Sequence, residues 1–347
     1  MTLSLAAVVT TIQEPTAAVR ALNEKLSNAE GVLIIAGDRK GPSAWDVPKS
    51  QFLSLADQLT LGFALAQHLP VGHYARKNIG YLYAMRQGAA CIYETDDDNA
   101  PLPRWRVRSL KVSGARCVDS DGWVNVYPYF TGKQKIWPRG FPLECIHSSL
   151  SDVRPATVSA EPLNSPIQQG LVNGSPDVDA IWRLTQDRFF EFDMEAPLFL
   201  GEGQWCPFNT QSTWWWPVAY PLMYVPSYCS FRMCDIWKSF IAQRCLWAMD
   251  AGVTFHPPEV VQDRNEHNLM KDFADEVPGY LKNTQIAEIL QALELDIGCD
   301  AVGENLLRCY DALIAADIFP QEEGTLVKAW LSDLSSIRQD SLISSDS

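Results

Sequence analysis

The amino-acid sequence predicts an α/β fold: a mixed central sheet flanked by helices, with a helical extension at its C-terminal end. Three observations carry this. Residues 4–12 (SLAAVVTTI) and 31–36 (GVLIIA) are short apolar runs rich in β-branched side chains. Residues 15–26 between them place Ala18, Val19, Leu22 and Leu26 at helical spacing, which makes a βαβ start suited to a mostly parallel sheet. From Pro278 onward the apolar pattern becomes helical, through Ile286, Ile289, Leu290 and Leu293, then residues 306–315 and 325–334.

The remaining elements follow in order. Residues 54–69 carry helical periodicity. Residues 76–88 read as a helix with Ile79, Leu82, Tyr83 and Met85 on its inner face. Residues 89–93 read as a strand that runs directly into Glu94-Thr95-Asp96-Asp97-Asp98-Asn99, so the acidic run falls at a strand's C-terminal end, where open α/β sheets bind ligands. Residues 101–142 read as short strands and loops, and 148–176, rich in Ser, Pro and Asn, as a long connecting loop. Residues 177–185 begin another element. Residues 208–228 are strand and loop, since Pro217, Pro221 and Pro226 interrupt the aromatic run. Residues 233–249 read as an amphipathic helix and 255–262 as a short strand. The expected division is a ligand-binding α/β domain over 1–280, a helical region over 281–340 and a disordered Ser/Asp-rich tail over 341–347.

A chain of 347 residues, 47% hydrophobic, can bury a full-sized core. Its formal charge of −14, from 42 acidic and 28 basic residues, excludes a nucleic-acid binder, which needs a basic footprint. A nucleotide ligand remains compatible, because a metal ion and a few local cations neutralise a diphosphate. The nine cysteines are scattered and form no CxxC pair, which argues against zinc and for free thiols in a reducing compartment. The N-terminal residues lack a basic segment followed by a long apolar one, and no stretch approaches about 18 apolar residues. The expectation is a cytoplasmic protein.

Five constellations bear on chemistry. Carboxylates two apart at a strand end, as in Asp96-Asp97-Asp98, can share one hard divalent cation, Mn2+ or Mg2+, which then bridges the phosphates of a nucleoside diphosphate. Asp98 would touch the metal directly, Asp96 through water or by way of the ribose, and Asp97 would lie against the nucleotide. The alternative is a solvated acidic turn. Arg76-Lys77-Asn78 at a helix start works against the helix dipole unless an anion binds there; the alternative is a solvated basic pair. In Gly37-Asp38-Arg39-Lys40, Asp38 suits a base or ribose hydroxyl and Arg39 and Lys40 a phosphate, or the segment is a polar turn. Asp235 either favours its helix N-terminus or serves as the general base that deprotonates an acceptor hydroxyl. In the polar run at 262–267, His267 could complete a metal shell begun by Asp98, and Arg264 could clamp a diphosphate. The loop Trp137-Pro138-Arg139-Gly140-Phe141-Pro142 is a sugar-binding wall or a packed hairpin tip.

Taken with Arg76-Lys77-Asn78-Ile79-Gly80-Tyr81-Leu82-Tyr83-Ala84, Phe208-Asn209-Thr210-Gln211, Ser230-Phe231-Arg232-Met233-Cys234-Asp235 and Arg264-Asn265, the acidic run and the Trp137–Pro142 loop resemble the STELLO family of glycosyltransferases, over most of the chain from about Val8 to Tyr280. Asp96-Asp97-Asp98, Arg139-Gly140-Phe141-Pro142 and the segment Gly170-Leu171 to Ala180 are more distantly similar to the reversibly glycosylated polypeptides, which include UDP-arabinopyranose mutases. The resemblance implies a GT-A-like (Rossmann-like) fold, a nucleotide-sugar donor, most often a UDP-sugar, and a glycan acceptor in polysaccharide biosynthesis. From the second family it implies Arg139 near the transferred sugar. Where that family has an aspartate pair, this sequence has Cys234-Asp235. The plant STELLO proteins are Golgi membrane proteins that associate with cellulose synthase. The expectation here is a bacterial-type soluble catalytic domain, with a glycan-synthesis protein or a second copy as partner. A nucleotide-sugar mutase and a non-catalytic scaffold are the other readings.

Overall fold

β1 (Ala6–Thr11) and β2 (Val32–Gly37) pair in parallel across α1 (Ala17–Asn28), with Ala6 opposite Val32 and Thr11 opposite Gly37. The βαβ start is therefore as expected. β3 (Ser50–Leu53) adds to β2, and β4 (Ile92–Thr95), which follows α2 (Lys77–Arg86), adds to the other side of β1; both pairings are parallel. The computed structural model describes residues 4–132, 134–186, 188–263 and 268–345. Residues 54–69 form two short helices rather than one, Leu55–Thr60 and Ala64–His68. Gly62 between them has a φ of +82°, a turn conformation that a Cβ would strain.

Seven further strands complete the main sheet: β5 (Asn99–Pro101), β6 (Arg116–Val118), β7 (Ala156–Val158), β8 (Ile167–Gly174), β9 (Leu198–Leu200), β10 (Ser212–Trp215) and β11 (Val253–Gln262). The order is β3-β2-β1-β4-β10-β8-β11-β9-β6-β7, with β5 also paired to β11. Antiparallel β10 separates a parallel half from a mixed half.

β8 corrects the expectation of a loop over 148–176. All eight of its residues are buried, and it runs through the middle of the sheet. Its sequence, IQQGLVNG, conceals a strand because the polar side chains are satisfied in place. Gln168 donates to the Ser109 and Ser165 carbonyls. Gln169 accepts from the Asn209 N–H and the Thr213 hydroxyl. Gly170 has no room for a side chain, since a Cβ would lie 2.8 Å from Ser212 Oγ.

Successive strand residues face opposite sides, and both sides are apolar. Ala6, Val8, Ile34, Ile92 and Trp215 belong to one core cluster with residues of α2 and the later helices. Ala7, Val9, Leu33, Ile35, Tyr93 and Trp214 belong to a second, with Val19, Leu22 and Leu26 of α1. α2 comes so close to β1 that a Cβ on Gly80 would sit 2.6 Å from Val8 Cγ1.

Three more helices, named here with the short α3 (Ala180–Gln186), carry the rest: α4 (Cys234–Trp247), α5 (Leu269–Gln291) and α6 (Val302–Ala315), ahead of the terminal α7 (Gln321–Ser345). α4 was expected to be amphipathic, yet twelve of its fourteen residues are buried. It packs against both α5 and α6, so it has no solvent face to leave polar. α5 begins at Leu269, ahead of Pro278, and runs through residue 280 without a break. α7 is joined to the α/β part by polar contacts. Asp333 accepts from the Ala64 and Leu65 N–H groups at 2.8 and 2.9 Å, Trp330 Nε1 donates to the Pro221 carbonyl, and Glu323 accepts from the Tyr224 hydroxyl and the Tyr228 N–H. All nine cysteines are free thiols. Among the described residues no helix is long and apolar enough to cross a membrane.

Candidate active site

The acidic run is a turn between β4 and β5, closed by the Asn99 N–H donating to the Asp96 carbonyl. It forms one wall of a cleft of about 490 Å³ at the C-terminal ends of β1, β2 and β4. Each aspartate is held differently. Asp96 Oδ1 accepts from the Tyr74 hydroxyl at 2.8 Å and from Lys77 Nζ at 3.1 Å. Asp97 is turned toward α1: its carboxylate accepts from the Thr11 hydroxyl, and its carbonyl from the hydroxyl of Thr16, the N-cap of α1. Asp98 Oδ2 accepts from Gln262 Nε2 at 2.9 Å, but Oδ1 is buried with no partner. Burial, then the charge of Asp96 with that of Asp97 behind it, pushes the Asp98 carboxyl up to about 7, against the Gln262 hydrogen bond.

Beneath the turn lies Glu94, wholly buried. It accepts from Trp215 Nε1 at 2.8 Å, from Lys238 Nζ at 3.0 Å and from the Tyr81 hydroxyl. A buried charge needs such matching, and here α4 supplies it to β4.

The opposite wall is built on Arg139. Its Nε and Nη2 donate to Asp177 at 2.7 and 2.8 Å, and Nη1 and Nη2 to Asp235 at 2.9 and 2.8 Å. Nη1 also donates to the Arg232 carbonyl. Thus one guanidinium joins the end of β8 to the start of α4, in the forked geometry to which arginine is suited. Burial alone would raise the Asp177 carboxyl; the charge and hydrogen bonds of Arg139 more than reverse this and hold it below the ordinary carboxylate value. Arg232, next along the wall, donates from Nε and Nη2 to buried Glu276.

The residues singled out in the sequence are thus only partly brought together. Asp38, Asp96, Asp97, Asp98, Arg139 and Asp235 line the cleft, and Lys77 Nζ supports it from below. The Asp38 carboxylate accepts from the Gly72 and His73 N–H groups, fixing the loop that carries Tyr74. Arg39 is exposed outside the lining, whereas its neighbour Lys40 is within it. Arg76 and Asn78 are corrections. Arg76 donates to Gln58 Oε1 and the Ala66 carbonyl, and Asn78 exchanges hydrogen bonds with the Val225 backbone. Successive helix residues point about 100° apart, so only Lys77 of the three turns to the cleft. Arg139 has all five N–H donors engaged within the protein, which leaves none for a transferred sugar. Arg264 and His267 lie outside the described residues. Tyr74 and Lys238 were not anticipated, and Gln262 was marked only as part of the polar run at 262–267. Lys238, a cation set among Ile236, Trp237, Phe240 and Ile241, was the one signal present. Asp177 was quoted only within a resemblance.

Among the described residues no group of three or more His, Cys, Asp and Glu side chains is arranged to hold a metal ion. The orphaned Asp98 oxygen nevertheless suits a hard cation, whose other oxygens would come from Asp96, water and a ligand's phosphates.

A mixed α/β sheet with an acid-lined cleft at its strand ends defines a ligand-binding protein of the Rossmann-like class. The model for STELLO glycosyltransferases matches residues 232–344, the stretch from just before α4 into α7. Two proteins of Arabidopsis thaliana, named "Probable glycosyltransferase STELLO2" and "Probable glycosyltransferase STELLO1", are each 27% identical over 87% of this chain. The chain spans 41% of the length of these relatives. Over these stretches the chain is similar to the STELLO glycosyltransferases.

Proposed function

We propose that this chain is a glycosyltransferase that binds a UDP-sugar with Mn2+ or Mg2+ and passes the sugar to a glycan hydroxyl. The observation that carries the reading is the pairing of two walls across one cleft: an acidic turn with an unmatched carboxylate oxygen faces two carboxylates clamped by Arg139. Asp98, with Asp96, would hold the cation, and the cation would neutralise the departing diphosphate. Asp38 and Lys40 are available to the nucleoside and its phosphates. In an inverting transfer the acceptor oxygen bonds to the anomeric carbon as the bond to the diphosphate oxygen breaks. The electron pair leaves with the diphosphate, and the hydroxyl proton passes to Asp235. Arg139 orients Asp235 for this. The names of the relatives support the transferase class. A cytoplasmic location and a glycan-synthesis partner belong to the same proposal.

Calorimetry of UDP with Mn2+ tests the site. Binding should require the metal, and Asp98→Ala should abolish the metal-dependent part while leaving the melting temperature of the unliganded protein unchanged or raised, since an unmatched buried carboxylate is removed. Equal affinity in the variant would remove Asp98 from the site. Release of UDP on incubation with a UDP-sugar and a glycan separates a transferase from a mutase, which returns the diphosphate to its own sugar.

A further inference from the structure

We propose that Phe231 is the platform on which the transferred sugar lies, and that this sugar is an uncharged pyranose. The inference rests on the donor reading above and narrows it.

Phe231 lines the cleft and yet is 57% exposed. It lies in the turn ahead of α4, and its ring meets that of Tyr74 edge-on at 5.9 Å. Tyr74 in turn is bonded to Asp96. The next residue along the chain, Arg232, gives its carbonyl to Arg139. The phenyl ring therefore occupies the interval between the acidic turn and the Arg139–Asp177–Asp235 cluster. With the diphosphate at the acidic turn and the acceptor chemistry at Asp235, that interval belongs to the sugar. A pyranose presents a patch of C–H groups on a ring face and its hydroxyls around the edge. The face can cover the phenyl ring, while the edge reaches the polar wall, which is the usual division of labour in a ligand pocket.

Charge narrows the sugar further. Among the described residues of the polar wall, the guanidiniums of Arg139 and Arg232 are paired with the carboxylates of Asp177, Asp235 and Glu276 and Arg183 is bonded to the Pro176 carbonyl, so none of the three is offered to an acidic sugar. Arg139 has no donor to spare for a sugar carboxylate. The acidic turn is the opposite case, with Lys77 the one cation among the described residues bonded to its three aspartates, and it repels a second anion until a cation is bound.

The test is calorimetry on the full chain with Mn2+, using UDP, UDP-glucose, UDP-galactose and UDP-glucuronate against wild type, Phe231→Ala and Phe231→Trp. In wild type at least one neutral sugar nucleotide should bind about tenfold tighter than UDP. Phe231→Ala should lose that gain while binding UDP as before, Phe231→Trp should keep it, and UDP-glucuronate should bind no tighter than UDP. An equal loss for UDP and the sugar nucleotides in Phe231→Ala would assign the ring to the nucleotide and overturn the platform. So would a wild type to which no sugar adds affinity, or a gain that survives in Phe231→Ala. Tighter binding of UDP-glucuronate would overturn the uncharged sugar. Failure of wild type to bind UDP at all would overturn the donor reading itself, and the platform with it.

Discussion

Burial pushes a carboxyl group up unless a cation answers it, as Arg139 does at Asp177, and Asp179, buried behind the cleft wall, isolates the effect. It stands two residues beyond Asp177 and accepts from the Trp182 N–H at 2.7 Å and from Trp137 Nε1 at 2.6 Å. Burial, only partly opposed by those two hydrogen bonds, raises its carboxyl to about 6. The folded protein therefore retains a proton that the unfolded chain releases from about pH 4 upward. Stability from this group is greatest below pH 4 and is lost as pH rises to about 6, by roughly 3 kcal/mol in all. Asp179→Asn should remove that dependence. Urea denaturation at intervals from pH 4 to pH 7 should show the variant gaining on wild type as pH rises, on top of a constant offset for the altered Trp137 contact. Parallel curves for the two proteins would refute the assignment. Residue by residue, Arg139 and Asp235 could each be picked out in the sequence, while their pairing with each other and with Asp177 could not. Asp177 and Asp235 lie 38 and 96 residues from Arg139, and no spacing rule joins them.

The elements differ in how openly the sequence declares them, and polarity is the reason. β1 and β2 are continuous apolar runs, because each is covered on both faces, and such runs read directly as strands. β4 carries a charge at Glu94, but the apolar residues before it and the acidic turn after it mark its place. β8 is equally buried, yet two glutamines, an asparagine and two glycines erase the pattern, since its hydrogen-bond partners come from segments distant in the chain. α4 shows a converse error: its scattered polar residues suggested a wet face, and they are buried pairs instead. The Glu94–Lys238 pair joining β4 to α4 gives this a measurable form. Lys238→Met should cost about 3–5 kcal/mol, because it leaves Glu94 buried and unmatched. Adding Glu94→Gln should recover most of the loss. Chemical denaturation of the single and double variants reads both values, and a Lys238→Met protein as stable as wild type would refute the contribution of the pair.

At the scale of the molecule, the helical extension and the α/β part share one core. Tyr310, Trp330 and Val327 of the extension fall in the same apolar cluster as Val8, Ile92 and Phe240. Asp333 supplies the carboxylate that two N–H groups of the helix Ala64–His68 require. A chain ending at Pro320 should accordingly lose its cooperative thermal transition, with near-ultraviolet circular dichroism reporting loss of fixed aromatic packing. A sharp transition in the shortened chain would instead make α7 an appended module. This unity also bears on the order in which the parts are made. Glu94 leaves the ribosome 144 residues ahead of Lys238. Through that interval β4 carries a carboxylate with no cation to meet it, and the parallel half of the sheet has no α4 to close against. The acidic turn is thus synthesised early but fixed late, and a nascent chain gains its cleft only once α4 has emerged.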